Sequence, residues 1–320
     1  MRKDVIKILF AAGVLIAFGL FHQTQAAGED FSVEFSPENP GPNTSVSANI
    51  ISYSFDINRS FITWIINGQT KLKGTGEKNF SFQTGDIGSV TKLSVLITTE
   101  KGASFRKDFS FRTADVDILW EALTYTPQGY KGKALATSES LIRITAVPHF
   151  PESVSPSKLI YDWSVDFKNK PDVSGLGKRS FTLRSADVFN KNKISVTISN
   201  YDKSITTEKN ISITIGQPKI IFYEENPLEG TRFNQVLQKD FQMASDTINI
   251  RAEPFFFSTI NLKNLLYEWA MNNQKILPET FSNILSLARG EQSGKSAIGL
   301  KISNPINIMQ FAENSLQINY

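Results

Sequence analysis

Apolar side chains recur at every second position through much of this chain. Ile62 and Ile66 flank Trp64, Tyr161 and Val165 flank Trp163, and Tyr267 and Met271 flank Trp269, each two residues away. A period of two is that of a strand with one face buried. The three Trp residues stand roughly one hundred residues apart, a spacing that asks for three copies of one module. Upstream of Trp163 and Trp269 the copies align without a gap: Ile142, Ile144, Ala146, Pro148, Phe150, Leu159 and Tyr161 against Ile248, Ile250, Ala252, Pro254, Phe256, Leu265 and Tyr267. Downstream, Gly74-Thr-Gly76 leads to Phe80 in the first copy and Gly175-Leu-Gly177 to Phe181 in the second. The stretch from Phe281 to Leu287 in the third copy lacks these glycines.

In the second copy the pattern predicts strands over 116–125, 141–147, 159–165, 181–184, 194–199 and 205–215. Short alternating strands separated by Gly, Pro and Asn turns predict an antiparallel sandwich. The expectation is therefore an all-β chain of three tandem immunoglobulin-like (PKD-like) sandwiches over 27–114, 115–216 and 217–320, with linkers near 113–117 and 216–218. Trp64, Trp163, Trp269, Tyr161, Tyr267, Phe80 and Phe181 are the predicted core. Residues 264–272 also admit a helical reading, but the Tyr-x-Trp match favours a strand.

The first segment reads differently. Arg2, Lys3 and Lys7 precede an apolar run over 8–21, then His22-Gln23-Thr24-Gln25 and Ala26. This is the layout of a secretory signal peptide, with Thr24 and Ala26 as the small residues before a cut after Ala26. The alternative is an uncleaved anchor through residues 8–21, the chain's one expected membrane contact. Both readings export the remainder.

Composition narrows the chemistry. The chain has 320 residues, no Cys and two His, with 34 Lys plus Arg against 31 Asp plus Glu, for a net charge of +3. No thiol chemistry or disulfide is available, and a near-balanced charge offers no basic stripe for nucleic acid. Apart from His22 in the leader, only His149 remains, in Pro148-His-Phe-Pro151, which argues against a histidine metal site or a nucleophile-His-acid triad. Glu224 with Glu225, and Asp162 with Asp166, are carboxylate pairs of the kind acid/base catalysis uses, but their placement on strands reads as solvated surface. Asp115 and Asp117 with Glu121 lie at the first module junction, where oxygen ligands can clamp a Ca²⁺ ion. Phe255-Phe256-Phe257 is the conspicuous aromatic cluster. With Phe256 assigned to the core, Phe255 and Phe257 become the candidate binding residues for a partner or glycan. The glycine pairs lead into a strand and not a helix, so they read as turns rather than a phosphate cradle.

The Tyr-x-Trp strand, Glu38-Asn-Pro-Gly-Pro-Asn43, and the stretch from Leu119-Trp120-Glu-Ala through Tyr125-Thr-Pro to Lys131-Gly-Lys-Ala-Leu135 resemble tandem PKD-like, immunoglobulin-like exported proteins. The similarity is strongest to uncharacterised surface proteins of ultra-small candidate-phylum bacteria. It covers the whole mature chain, and it implies an extracellular sandwich array without catalytic residues or cofactors. Trp163 leads into Ser-Val-Asp-Phe, where the PKD pattern has Gly-Asp-Gly. The function expected is a non-enzymatic structural or adhesive role towards a surface protein or glycan. The second expectation is a secreted carbohydrate-binding or enzyme-accessory protein using exposed loop aromatics.

Overall fold

A computed structural model describes residues 31–150, 155–185, 190–278 and 282–320. The expected leader, with the apolar run over 8–21 and the expected cut after Ala26, lies outside the described residues, as does Phe281. The described chain is all-β apart from three short 3-10 turns. No helix among the described residues is long and apolar enough to cross a membrane.

The first sandwich contains β1 (Ser32–Ser36), β2 (Ser45–Ile51), β3 (Phe61–Ile66), β4 (Gln69–Thr75), β5 (Asn79–Gln83), β6 (Val90–Thr98) and β7 (Ser104–Arg112). Its sheets run β1-β2-β5 and β4-β3-β6-β7. The second contains β8 (Asp115–Ala122), β9 (Leu141–His149), β10 (Ile160–Val165), β11 (Lys168–Asn169), β12 (Gly175–Leu176), β13 (Ser180–Arg184), β14 (Lys191–Ser199) and β15 (Thr206–Thr214). Here the order β8-β9-β13 faces β11-β10-β14-β15, with β12 also on β10. The third contains β16 (Lys219–Asn226), β17 (Gly230–Val236), β18 (Asp240–Gln242), β19 (Thr247–Phe255), β20 (Leu266–Met271), β21 (Gln274–Ile276), β22 (Ile284–Ala288), β23 (Lys295–Ser303) and β24 (Phe311–Asn319). Its sheets run β17-β16-β19-β22 and β18-β24-β23-β20-β21, and β18 joins β24 in parallel. Residues 264–272 thus form strand β20 and its approach, and His149 ends a strand where the sequence suggested a loop.

Each sandwich has a separate core: one cluster from Phe31 to Ile97, one from Val116 to Ile215 and one from Ile220 to Ile318. Trp64, Trp163, Trp269 and Tyr161 are fully buried, while Phe80, Phe181 and Tyr267 pack half-buried against these cores. Phe80 stacks on Trp64 with ring centroids 5.2 Å apart, and Phe181 meets Trp163 edge-on at 4.9 Å. In the third core Phe222 of β16 lies against Trp269 at 5.9 Å.

A buried indole N–H needs an acceptor. Trp64 Nε1 donates to the Glu77 carbonyl at 2.7 Å, Trp163 Nε1 to that of Lys178 at 2.8 Å and Trp269 Nε1 to that of Ser282 at 2.8 Å. The second glycine of each pair precedes the first two acceptors and aims them. Gly76 has φ +76° and Gly177 φ +68°, and their amides donate to the Ser60 and Leu159 carbonyls at the start of the Trp strand. A Cβ would sit 2.9 Å from the Asn58 oxygen at Gly76 and 3.1 Å from the Ser157 oxygen at Gly177. Both glycines are therefore required by conformation and by space. A feature absent from the sequence expectation is the 3-10 turn ahead of each Trp strand, at Ile57–Arg59, Pro156–Lys158 and Thr259–Asn264.

Replacing Trp163 with Ala removes the ring and its bond from the middle of the second core, and should cost about 3–5 kcal/mol in urea unfolding. A change well under about 1 kcal/mol would contradict the core role of this ring.

Candidate functional site

The outward face of β19 carries Arg251, Glu253 and Phe255, positions that would meet water in an isolated sandwich. Here the segment of the second module between β8 and β9, residues 123–140, covers Glu253 and Phe255. Tyr125 N donates to the Phe257 carbonyl and Phe256 N to the Tyr125 carbonyl, both at 2.7 Å, and Thr259 N donates to the Leu123 carbonyl at 3.2 Å. These bonds form a short antiparallel ladder between two modules, with Thr124 bridged to Ser258.

Side chains extend the contact. Thr137 Oγ1 donates to the Phe256 carbonyl at 2.7 Å, and Gln310 Nε2 donates to the Ser138 carbonyl at 2.7 Å. Gln310 Oε1 in turn accepts from Ser258 N and Asn304 Nδ2. Both ends of the Gln310 amide are therefore used, and the residue is fully buried. Tyr130 packs edge-on against Phe255 at 5.4 Å and Phe256 at 6.2 Å. Thr137 also bridges to Gly216, so the covering segment is tied to the end of its own module.

This geometry corrects the expectation for Phe255 and Phe257. Phe255 is 2% exposed, Phe256 4% and Phe257 0%. Phe256 has φ +66°, which breaks the alternation of β19. Phe257 then turns into the third core, while Phe255 and Phe256 form a satellite cluster with Tyr223. The aromatic run joins two modules and presents no open face to a ligand.

Glu253 is 2% exposed and lies at the centre of the polar part of the joint. Its Oε2 accepts from the Tyr125 hydroxyl at 2.8 Å, and its Oε1 from Arg251 Nε at 2.7 Å. Arg251 also approaches Glu225 Oε2 at 3.6 Å. Burial, then the bond to Glu253, pushes the Tyr125 hydroxyl far above the usual phenol range. Burial, then the charge of Glu253, pushes Tyr267 up to about 12. A buried carboxylate held by a guanidinium and a phenol is satisfied on both oxygens.

The junction carboxylates are also corrected. Asp115, Asp117 and Glu121 share the outward face of β8, but at about 3.3 Å per residue the first and last stand about 20 Å apart. Each has its own partner. Asp115 Oδ1 accepts from Val116 N and lies 3.9 Å from Lys209 Nζ, Asp117 Oδ2 is 3.0 Å from His149 Nε2, and Glu121 Oε1 accepts from Arg143 Nη1 at 2.6 Å. Among the described residues no group of three or more His, Asp or Glu can hold a metal ion. Of the other candidate carboxylates, Glu224 pairs with Arg232 at 3.0 Å, and Asp166 accepts from Lys193 N and Asn192 Nδ2 at a turn.

No family model matches the chain, and no curated protein matches it in sequence. The matches found are to solved structures of tandem modules, by structure and not by sequence. The central fibronectin-III array of RIM-binding protein is 12% identical and covers 90% of this chain and 95% of its own, with a TM-score of 0.31. The fibronectin(III)-like modules of Clostridium thermocellum CbhA are 12% identical over 58% of this chain and 95% of their own, at 0.27. A structure from a 1.5-MDa bacterial ice-binding adhesin is 9% identical over 91% and 97%, at 0.24. Likenesses this distant say nothing of ligand or activity, and the sandwich assignment rests on the strand order above.

Two outcomes follow from the joint. Glu253→Ala leaves the Tyr125 hydroxyl and the Arg251 guanidinium without their acceptor, and should cost about 2–3 kcal/mol in chemical unfolding. The phenols of Tyr125 and Tyr267 hold their protons more tightly in the folded chain than the ordinary value of about 10. Unfolding at high pH therefore releases protons, so the stability they contribute is intact below about pH 10 and is lost as the pH rises towards about 12. Urea midpoints measured across that window should fall, and Tyr267→Phe should flatten the fall. An unchanged slope in that variant would contradict the assignment.

Proposed function

We propose that this chain is a non-enzymatic, exported surface protein of tandem sandwiches whose work is structural or adhesive: a stiff spacer that holds a binding end at a fixed orientation. The observation that carries this reading is the joint between the second and third modules. Modules that move independently are joined by linkers with few contacts across them. Here a backbone ladder, the buried Gln310 amide, the Glu253 carboxylate and an aromatic cluster all cross the boundary.

Further support comes from the first boundary and from the leader. β7 and β8 are separated only by Thr113 and Ala114, both fully buried, which leaves little slack between the first and second modules. The basic, apolar and small-residue stretches of residues 1–26 and the resemblance to tandem PKD-like surface proteins support export. Asp115, Asp117, Glu121, Asp166, Glu224 and Glu225, among the carboxylates suggested for acid/base or metal chemistry, are held by Arg, Lys, His, Asn or backbone partners, which favours a non-catalytic role. Carbohydrate binding through loop aromatics is the second reading, and it is favoured by a cleft in the first module.

The absence of Cys makes the stiffness directly measurable. Spin labels placed by Thr182→Cys and Glu268→Cys, both exposed, should give one narrow inter-module distance in the pulsed dipolar experiment. Adding Thr137→Val and Gln310→Ala should broaden it. A broad distribution before those changes would overturn the stiff-spacer reading.

A further inference from the structure

The connections β19-to-β20 and β23-to-β24, residues 256–265 and 304–310, meet the second module in the joint just described. In the first module the connections at the same end are 52–60, between β2 and β3, and 99–103, between β6 and β7. No neighbouring module covers them among the described residues. Between them lies a cleft of about 440 Å³, within the size range of small-ligand sites.

Both walls are held in place. On one side Asp56 Oδ1 accepts from Asn58 N at 2.9 Å and caps the 3-10 turn Ile57–Arg59, Ile57 is buried beneath, and Ser60 Oγ donates to the Asp56 carbonyl at 2.8 Å. On the other side Thr99 closes a tight turn. It exchanges backbone bonds with Gly102 and Ala103, and its Oγ1 accepts from Ala103 N, with Gly102 at φ +82°. Arg59 links the walls, lying 3.6 Å from Asp56 and 3.9 Å from Glu100.

The cleft floor is aromatic and its rim polar. Phe55 and Phe105, one from each wall, stack with an interplanar angle of 2° and centroids 5.2 Å apart. Ser54, Asp56, Thr99 and Glu100 line the polar part. Tyr53, on the same connection, is 97% exposed. The carboxylates of Asp56 and Glu100 are balanced by Arg59 and Lys101, so the site has no net charge to select an ion.

We propose that this cleft is a binding site for a neutral oligosaccharide. A sugar ring offers an apolar C–H face to an aromatic pair, and hydroxyls around its edge that donate to carboxylates and exchange bonds with Ser and Thr hydroxyls. Neutral charge with paired acceptors suits that ligand better than a phosphate, which a balanced site does not attract. Preformed walls reduce the ordering cost of binding. The proposal deepens the adhesive half of the function proposed above and does not depend on the stiffness of the joint.

The test uses the chain from Ala27 to Tyr320, with cellohexaose, xylohexaose, mannohexaose and chitohexaose as probes, followed by backbone amide NMR. At least one probe at millimolar concentration should shift resonances within 52–60 and 99–105. Glu100→Gln should then weaken that binding about tenfold, the scale of one lost charge-assisted bond, and Tyr53→Ala should keep the fold. Phe55→Leu, which retains bulk in the floor, should also weaken binding while urea unfolding shows the module intact. No shift with any probe, or shifts confined to other modules, would overturn the proposal. So would shifts of these residues that depend only on protein concentration, which would assign the loops to a second copy of the chain. None of these outcomes bears on the inter-module distance, so the saccharide site and the stiff spacer fail separately.

Discussion

The bond from a buried indole N–H to a backbone carbonyl in the connection that leads into the opposite sheet is the constraint around which each module is arranged. A Trp ring brings more apolar surface to a sandwich core than any aliphatic residue, but its N–H must be satisfied there. The acceptors at Glu77, Lys178 and Ser282 sit just before or beside the strand that crosses to the other sheet. One bond thus fixes the distance between sheets, the entry of that strand and the registration of the ring. The left-handed glycines at 76 and 177 follow from this requirement, because the turn that aims the carbonyl also brings the backbone against residues 58 and 157. The third module reaches the same bond without those glycines. What the three copies share is therefore the acceptor rather than the turn that delivers it.

Once each module has its own core, the outer face of the strand before the Trp strand is free for a second use. In the third module that use is the joint. Pattern alone places Arg251, Glu253 and Phe255 on the solvent side of β19, yet Glu253 and Phe255 are among the most buried residues of the chain. A charge is tolerated there because both carboxylate oxygens are bonded, one of them by a residue from the neighbouring module. The specificity of the joint comes from the same arrangement. Gln310 bonds across the boundary with one end and orders its own module with the other, so both ends of this buried amide have partners in the docked geometry.

The fold was legible in the sequence because its signal is local and repeated. Alternation around Trp64, Trp163 and Trp269 marks the central strands, and ungapped matches such as Ile142 with Ile248 mark the strand before. The strands expected over 141–147 and 194–199 fall within β9 and β14. The joint was illegible for the opposite reason. Thr137 and Phe256 are more than a hundred residues apart, and nothing in either neighbourhood records that one donates to the other. The run Phe255-Phe256-Phe257 did stand out, but as a break in alternation it fits an exposed patch and a covered one equally well. The φ of Phe256 and the covering segment decide between them, and neither is a property of the run itself. Asp115, Asp117 and Glu121 misled in a related way, since proximity in sequence along an extended strand is separation in space. The cleft of the first module was missed because Phe55, on the β2-to-β3 connection, and Phe105, near the start of β7, lie fifty residues apart and become neighbours only at one end of the folded sandwich.

The same end of the fold therefore appears in two states within one chain. In the third module its connections carry buried Ser258, Asn304 and Gln310 and receive a neighbour. In the first, the connections carry Tyr53, Ser54, Asp56 and Glu100, and no other module covers them among the described residues. The strand framework beneath them is common, with the Trp and its carbonyl acceptor in place in both. The two ends differ in loop composition, and in the reading proposed above one is a joint and the other a recognition surface. Amide side chains that satisfy backbone groups across a boundary specify one docked partner. Short hydroxyls and carboxylates around paired rings suit a ligand that is itself rich in hydroxyls. Under the function proposed above, a tandem array gains length through the first kind of end and contact with its surroundings through the second, without any change to the core that both rest on.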